Sequence, residues 1–297
     1  MINLNISKKL PVVMVLLIVI SSAVSISIAL TKSSQDAFKA AENKLTALRE
    51  SRKVAMESYL DTIEQDLSAL AKNDYVKQAL IDFKGGWDGL QVNQTSVLQE
   101  LYINSNPHPT GSKDELDYAS DGSLYSQYHK KYHPWFRHFL RLRDYYDIFL
   151  FDTSGNLVYT VFKELDYATN LNSGKYKDTD LGNAFRAAMQ NSSVDKQSFF
   201  DFKPYAPSHG AAASFISQAI MEDGKVSGVL VFQMPIARIN GVMQVAAGMG
   251  ESGETYLVGA DYLMRSDSRF SPQPPQQGKR LKIIHYWTQH NILFQER

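Results

Sequence analysis

From Leu10 to Leu30 the chain runs through 21 residues without a charge, and no other feature restricts its fold as strongly. At 1.5 Å per residue, a helix of that length matches a bilayer hydrocarbon core about 30 Å thick. Lys8 and Lys9 precede the run, and no acidic residue occurs among the first nine positions. The preference of basic flanks for the cytoplasm then places the N-terminus inside and everything after Leu30 outside. A cleaved signal peptide is the rival reading, since Ser27-Ile28-Ala29 loosely matches a small-x-small cleavage site. The apolar run is longer than a usual signal core and a helix follows it with almost no break, which favours an uncleaved anchor. A buried helix of a soluble domain does not fit so long an uncharged stretch at the extreme N-terminus.

Ser33 or Ser34 can cap a helix that continues to about Phe83, because no proline or glycine interrupts it. Phe38, Ala41, Leu45, Leu48, Ala55, Tyr59, Ile63, Leu67 and Leu70 form one apolar stripe along this stalk. Arg52 falls on the stripe, and the small Ala41 and Ala55 make it shallow. Its partner is the body of the domain, a second copy, or both, so a homodimer through the long helix is one expectation. Gly85-Gly86-Trp87-Asp88-Gly89 reads as the stop, and Asn104 to Ser126, with two prolines and two glycines, as a loop-rich excursion. Function often sits in such loops.

His108, His129, His133 and His138 follow one another closely. His129 and His133 have the i, i+4 spacing of a metal pair, but Pro134 comes next and no Glu accompanies them, so surface histidines near a helix end are the expectation. The run Tyr132-His133-Pro134-Trp135-Phe136-Arg137-His138-Phe139-Leu140-Arg141 interleaves aromatics with arginines ahead of an apolar strand. Such a run can line a pocket for an anionic small molecule, and core packing accounts equally well for Trp135 and Phe139.

Tyr145 to Phe162 reads as a β-hairpin around a turn of Asp152, Ser154, Gly155 and Asn156. Ile148 and Leu150 lie on one face and Phe149 and Phe151 on the other, so both sides of the sheet should be covered. Leu181 to Met189 predicts a short helix, Phe199 to Tyr205 a third strand, and Ser214 to Met221 with Val226 to Met234 a second hairpin across Glu222-Asp223-Gly224-Lys225. The order of helix, two strands, helix, three strands predicts an α+β fold with a PAS-like antiparallel sheet. From Tyr256 to Ser266 strand, turn and strand begin again, but only 42 residues remain from Tyr256 to the end, against 98 from Tyr146 to Met243. A second sheet would be incomplete.

The chain divides accordingly: 1–32 cytoplasmic N-terminus and anchor, 33–84 stalk, 85–245 ligand-binding module, 246–270 start of a second module, and 271–297 an irregular tail. That tail carries three closely spaced prolines, Pro272, Pro274 and Pro275, then Lys279-Arg280-Leu281-Lys282. The formal charge of zero offers no basic surface for nucleic acid. The absence of cysteine excludes disulfides, thiolate metal sites and cysteine nucleophiles, and permits export.

These residues resemble the sensory region of bacterial methyl-accepting chemotaxis proteins with a double Cache domain, over about residues 1 to 270. The resemblance rests on the anchor and long helix, Tyr146-Asp147-Ile148-Phe149-Leu150-Phe151-Asp152, Asn156-Leu157-Val158-Tyr159, and Gln233-Met234-Pro235-Ile236. The most specific match is Gly250-Glu251-Ser252-Gly253-Glu254-Thr255-Tyr256-Leu257-Val258-Gly259, followed by Met264-Arg265-Ser266-Asp267-Ser268. Similar regions also precede histidine kinases and nucleotide cyclases. The resemblance implies a membrane-distal module that binds a small molecule, a membrane-proximal module, a second span, a HAMP linker and a methylated cytoplasmic coiled coil. After Phe270 the sequence leaves that plan, so a truncated or frame-shifted receptor is the expectation. Amino-acid-binding Cache domains place an Arg two residues before the Trp, and His133 stands there in this chain.

For an anionic ligand, Arg137 or Arg141 is the expected carboxylate clamp, with Trp135, Tyr145 and Tyr159 as walls and Asp201 or Tyr205 closing the far side. No cofactor or metal is implied. Gly248-Met249-Gly250-Glu251-Ser252-Gly253 spells GxGxxG outside any βαβ unit, and Ser208-His209-Gly210 lacks an elbow signature, so the chain is not expected to be an enzyme. The competing expectation is a non-catalytic envelope protein that dimerises through the helix and docks a partner on the sheet.

Overall fold

The computed structural model describes residues 6–191, 195–270 and 292–295. Helix α1 (Ile6–Lys72) runs unbroken through the apolar segment and into the folded domain. Its 67 residues span about 100 Å, so the boundary expected at residue 32 is no break in the backbone. Among the described residues it is the one helix long and apolar enough to cross a membrane, and its side chains from Val12 to Leu30 face outward. Beyond Arg52 one side turns inward. Met56, Ile63, Leu67 and Leu70 are buried in the domain, and the Arg52 guanidinium donates to the Val245 carbonyl at 2.8 Å.

The long helix ends earlier than the glycines suggest. Asn73 takes extended backbone angles and its side chain accepts from the Tyr75 amide at 2.8 Å, capping α2 (Asp74–Gly89). The run Gly85 to Gly89 is therefore the last turn of α2, not the stop of the stalk. Gly86 has a packing reason: a Cβ there would lie 2.8 Å from the Tyr125 Cα, so only glycine lets α2 approach the next long helix this closely.

After α3 (Gln94–Gln99) and a π turn at Glu100–Asn104, residues 105 to 123 form a strap whose only regular piece is a 3-10 turn at Lys113–Glu115. Helix α4 (Leu124–Arg143) follows, capped by Ser123, whose hydroxyl accepts from the Ser126 amide. Tyr125, His129, Tyr132, His133, Phe136 and Leu140 make its buried side, at the spacing of an amphipathic helix. Pro134 faces solvent and does not end the helix. His129 and His133 are thus core residues, and the expectation of surface histidines is corrected by the face they occupy.

Strands β1 (Asp147–Asp152) and β2 (Leu157–Thr160) form the expected hairpin. After α5 (Asp180–Gln190) come β3 (Gln197–Pro204), β4 (Ala212–Glu222) and β5 (Lys225–Gln233), which join β1 and β2 in one antiparallel sheet in the order β2-β1-β5-β4-β3. Asp223 and Gly224 both have positive φ, the geometry of a tight two-residue hairpin turn. Both faces are covered as expected. Ile148 and Leu150 join the core beneath α2 and α4, while Phe149 and Phe151 join a second core beneath α5.

Helix α6 (Ile236–Met243) leads to β6 (Glu254–Leu257), and Val258 bridges Met264 where the second strand-turn-strand is expected. The tail is not wholly irregular, since β7 (Ile292–Gln295) pairs antiparallel with β6. The prolines and the basic run of the tail lie outside the described residues.

Candidate ligand-binding site

The core beneath α4 is unusual in holding ionisable groups. Phe83, Tyr102, Tyr125, Tyr159 and Tyr167 enclose His129, His133 and Lys163, all of them buried. The two imidazoles stack with centroids 4.3 Å apart. Their tautomers follow from their partners. His133 Nε2 lies 2.6 Å from the Asp114 carbonyl, which can only accept, so Nε2 carries the proton and Nδ1 accepts from the Tyr159 hydroxyl at 2.7 Å. His129 Nδ1 bonds the Asp117 carbonyl and must carry its proton, which leaves Nε2 as a bare acceptor, buried and without a partner.

Lys163 lies in the left-handed region at φ +56°, which turns its side chain inward from the loop after β2. Its ammonium donates to the Val161 carbonyl at 2.9 Å and sits 3.4 Å from both nitrogens of His133. No carboxylate pairs with it among the described residues. Asp147 at the start of β1 fixes the path of this loop: its Oδ1 accepts from the amides of Ile148, Val161 and Phe162, and its Oδ2 from Thr160. Burial lowers Lys163 from its ordinary 10.5 to about 7. Burial, with Lys163 alongside, holds both histidines well below the usual range, so they are neutral near pH 7. Burial raises Tyr125, Tyr159 and Tyr167, which therefore stay protonated.

The strap covers these groups and is held by charges on α4. Arg137 donates to the Asp114 carbonyl at 2.6 Å and pairs with Asp117 at 2.8 Å. Arg141 lies 2.6 Å from both Asp114 and Glu115. Below, Asn106 donates to the carbonyls of Tyr102 and Lys113. A neighbouring acidic cluster completes the far end of the loop. Asp166 accepts from Tyr205 at 2.5 Å, and Glu164 accepts from Tyr146 and Ser208. Burial raises Asp166 to about 7, and its Oδ1 and the Gln233 Oε1 are buried without partners.

Of the seven residues expected at the site, Tyr159 and Arg137 meet at the histidine pair. Arg141 binds the strap rather than standing open, because Asp114 and Glu115 already neutralise it. Tyr205 belongs to the acidic cluster. Trp135 stacks on Phe139 on the outer side of α4, Tyr145 donates to Asp66 of α1 at 2.7 Å, and Asp201 is paired with Arg265 at 2.8 Å. Sequence reasoning set His129 and His133 aside as surface residues and passed over Lys163, Tyr102 and Asp114. The histidines had a signal in their helical spacing with Tyr125, Tyr132 and Phe136; Lys163 had none. The described residues contain no group of three His, Cys, Asp or Glu able to hold a metal.

No protein-family model matches the sequence, and no curated protein matches it. Among solved structures, the sensor domain of the Vibrio cholerae histidine kinase DctB aligns with a TM-score of 0.35 at 12% identity, over 68% of this chain and 67% of that one. The ligand-binding domain of the Campylobacter jejuni chemoreceptor Tlp3, in complex with 4-methylisoleucine, gives 0.36 at 11% identity over 74% and 76%. That of the Pseudomonas aeruginosa amino acid chemoreceptor PctC, in complex with GABA, gives 0.33 at 12% over 64% and 72%. With identities this low and TM-scores below 0.5, the fold stands on its own strand order and helix placement.

Proposed function

We propose that the chain is the small-molecule sensing region of a chemotaxis-type membrane receptor. Residues Leu10 to Leu30 cross the membrane, with the N-terminus cytoplasmic and the sheet domain outside. One observation carries the reading: a neutral histidine pair and an ammonium without a carboxylate partner lie buried in an aromatic box, under a strap that ion pairs to α4 fasten. Buried polar groups short of partners are costly to stability, and a ligand that completes them recovers that cost on binding. His129, His133, Tyr159 and Lys163 form the seat, Arg137 and Arg141 hold the strap, and Tyr205 closes the adjoining acidic end. The unbroken α1, packed on β4 and β5, gives a continuous element from this sheet to the membrane.

Thermal shift of the full chain in detergent micelles, against a panel of organic acids, amino acids and amines, tests the reading. Stabilisation by at least one class is expected; a folded sample that responds to none of them would overturn it. We further propose pairing of two copies along α1, where Phe38 is 76% exposed at the head of the stripe through Ala41, Leu45 and Leu48. Sedimentation of the micelle-bound chain as a monomer would remove that pairing.

A further inference from the structure

Two groups at the histidine pair are short of partners, and they are of opposite kind. His129 Nε2 is a lone-pair acceptor with nothing to accept from. The Lys163 ammonium has three N–H donors, of which Val161 takes one at 2.9 Å. The His133 nitrogens at 3.4 Å are already engaged by Tyr159 and the Asp114 carbonyl. Asp114 is committed to Arg141, and Asp147 to three backbone amides and Thr160, so neither carboxylate is free to meet the ammonium.

Both short-handed groups touch the same ring. His129 stacks on the His133 imidazole, and the Lys163 ammonium contacts both of its nitrogens. A molecule that serves both must carry an anionic acceptor for the ammonium and a neutral donor for the imidazole. The surrounding rings, with Tyr102 and Tyr159 about equally distant from the ammonium at 5.9 and 6.0 Å, favour a carbon skeleton over an inorganic oxyanion.

Resting on the sensor reading above, we propose that this site takes a small α-hydroxycarboxylate, its carboxylate accepting from Lys163 and its hydroxyl donating to His129 Nε2. An α-amino acid fits less well, although its size and carboxylate are the same. Its ammonium would stand beside Lys163 and near Arg137 in a low-dielectric interior, where like charges repel strongly. A plain carboxylate satisfies the lysine and leaves His129 unpaired.

Titration calorimetry on the full chain in micelles at pH 7 compares L-lactate, propionate and L-alanine, which share a three-carbon carboxylate skeleton and differ only at the α substituent. L-lactate is expected to bind, propionate about tenfold more weakly for the loss of one hydrogen bond, and L-alanine more weakly still. Propionate or L-alanine binding as tightly as L-lactate overturns the assignment. So does a response confined to amines or amino acids, which leaves the sensor reading standing; silence toward every class overturns both. His129→Phe should erase the difference between L-lactate and propionate, and Lys163→Met should weaken both. Where either variant fails to fold, the ranking on the unaltered chain decides.

Discussion

The two faces of the sheet are made by alternate residues of the same strands, yet they differ sharply in chemistry. Toward α5, Phe149, Phe151, Leu157, Val229 and Val231 meet Leu181, Ala184 and Phe185 in an apolar packing. Toward α4, Ile148, Leu150 and Tyr159 meet a core that also holds two histidines and a lysine. The first face is what a sheet needs in order to be stable. The second departs from that pattern at a cost, because buried ionisable groups weaken a core unless something completes them. Departures of this kind concentrate where a protein does its work. On the proposed reading, the apolar face is the support and the polar face the instrument.

The largest expected contrast is in stability. Phe151→Ala on the α5 side removes a fully buried ring that packs on Phe185 at 5.3 Å, and should cost about 3–5 kcal/mol, read as a fall in the thermal midpoint. A loss below about 1 kcal/mol would mean that the α5 face is not the supporting core.

The pH dependence of stability is the next effect, on the order of a few kcal/mol, and two of its contributors, an amine and a carboxyl, lie on the polar side. Lys163 falls from an ordinary 10.5 to about 7, so the fold disfavours its proton. Its contribution to stability is present above 10.5 and is lost as pH falls through 7. Asp166 rises from 3.8 to about 7, so its contribution is full below 3.8 and is lost as pH rises through 7. The groups facing Lys163 are His129, His133 and Arg137 from α4, Asp147 from β1, and Asp114 and Asp117 from the strap. Melting curves across pH should show Lys163→Met flattening the arm above 7 and Asp166→Asn the arm below it. An unchanged arm in either variant contradicts the assignment.

The smallest effect separates the strap from both cores. Arg141 is half-exposed but its partner Asp114 is buried, so Arg141→Ala should cost about 1–2 kcal/mol by leaving that carboxylate short of a partner. Amide exchange across residues 113–117 should nonetheless quicken while that of α5 stays the same. Equal exchange in the strap would show that the ion pairs do not fasten it.

Much of the support was legible in the sequence, and little of the instrument. Alternation assigned Ile148 and Leu150 to one face and Phe149 and Phe151 to the other, because a period of two is a local property of a strand. The turn at Asp223-Gly224 was equally local. Gly85 and Gly86 misled because low helix propensity was outweighed by the approach of α2 to Tyr125, a contact made 39 positions away. Pro134 suggested a helix end, yet it lies on the solvent side of α4, and the helix runs past it to Arg143. Lys163 carries no local sign of burial. Its position depends on a left-handed backbone and on an Asp147 carboxylate reaching across from β1, which only the folded chain brings together. Arg137 and Arg141 had the right chemistry for a clamp, but the acidic strap that occupies them lies far earlier in the chain.

Hydrogen–deuterium exchange of the full chain in micelles, with and without saturating L-lactate, bears most directly on the division between the two faces. Added protection should fall on the strap at 113–117, on α4 from Tyr125 to Arg137 and on the loop from Val161 to Ala168, with α5 and β3 unchanged. Protection that appears instead along α5 and β3, or nowhere in the domain, would contradict the claim that the polar face is where this protein recognises its ligand.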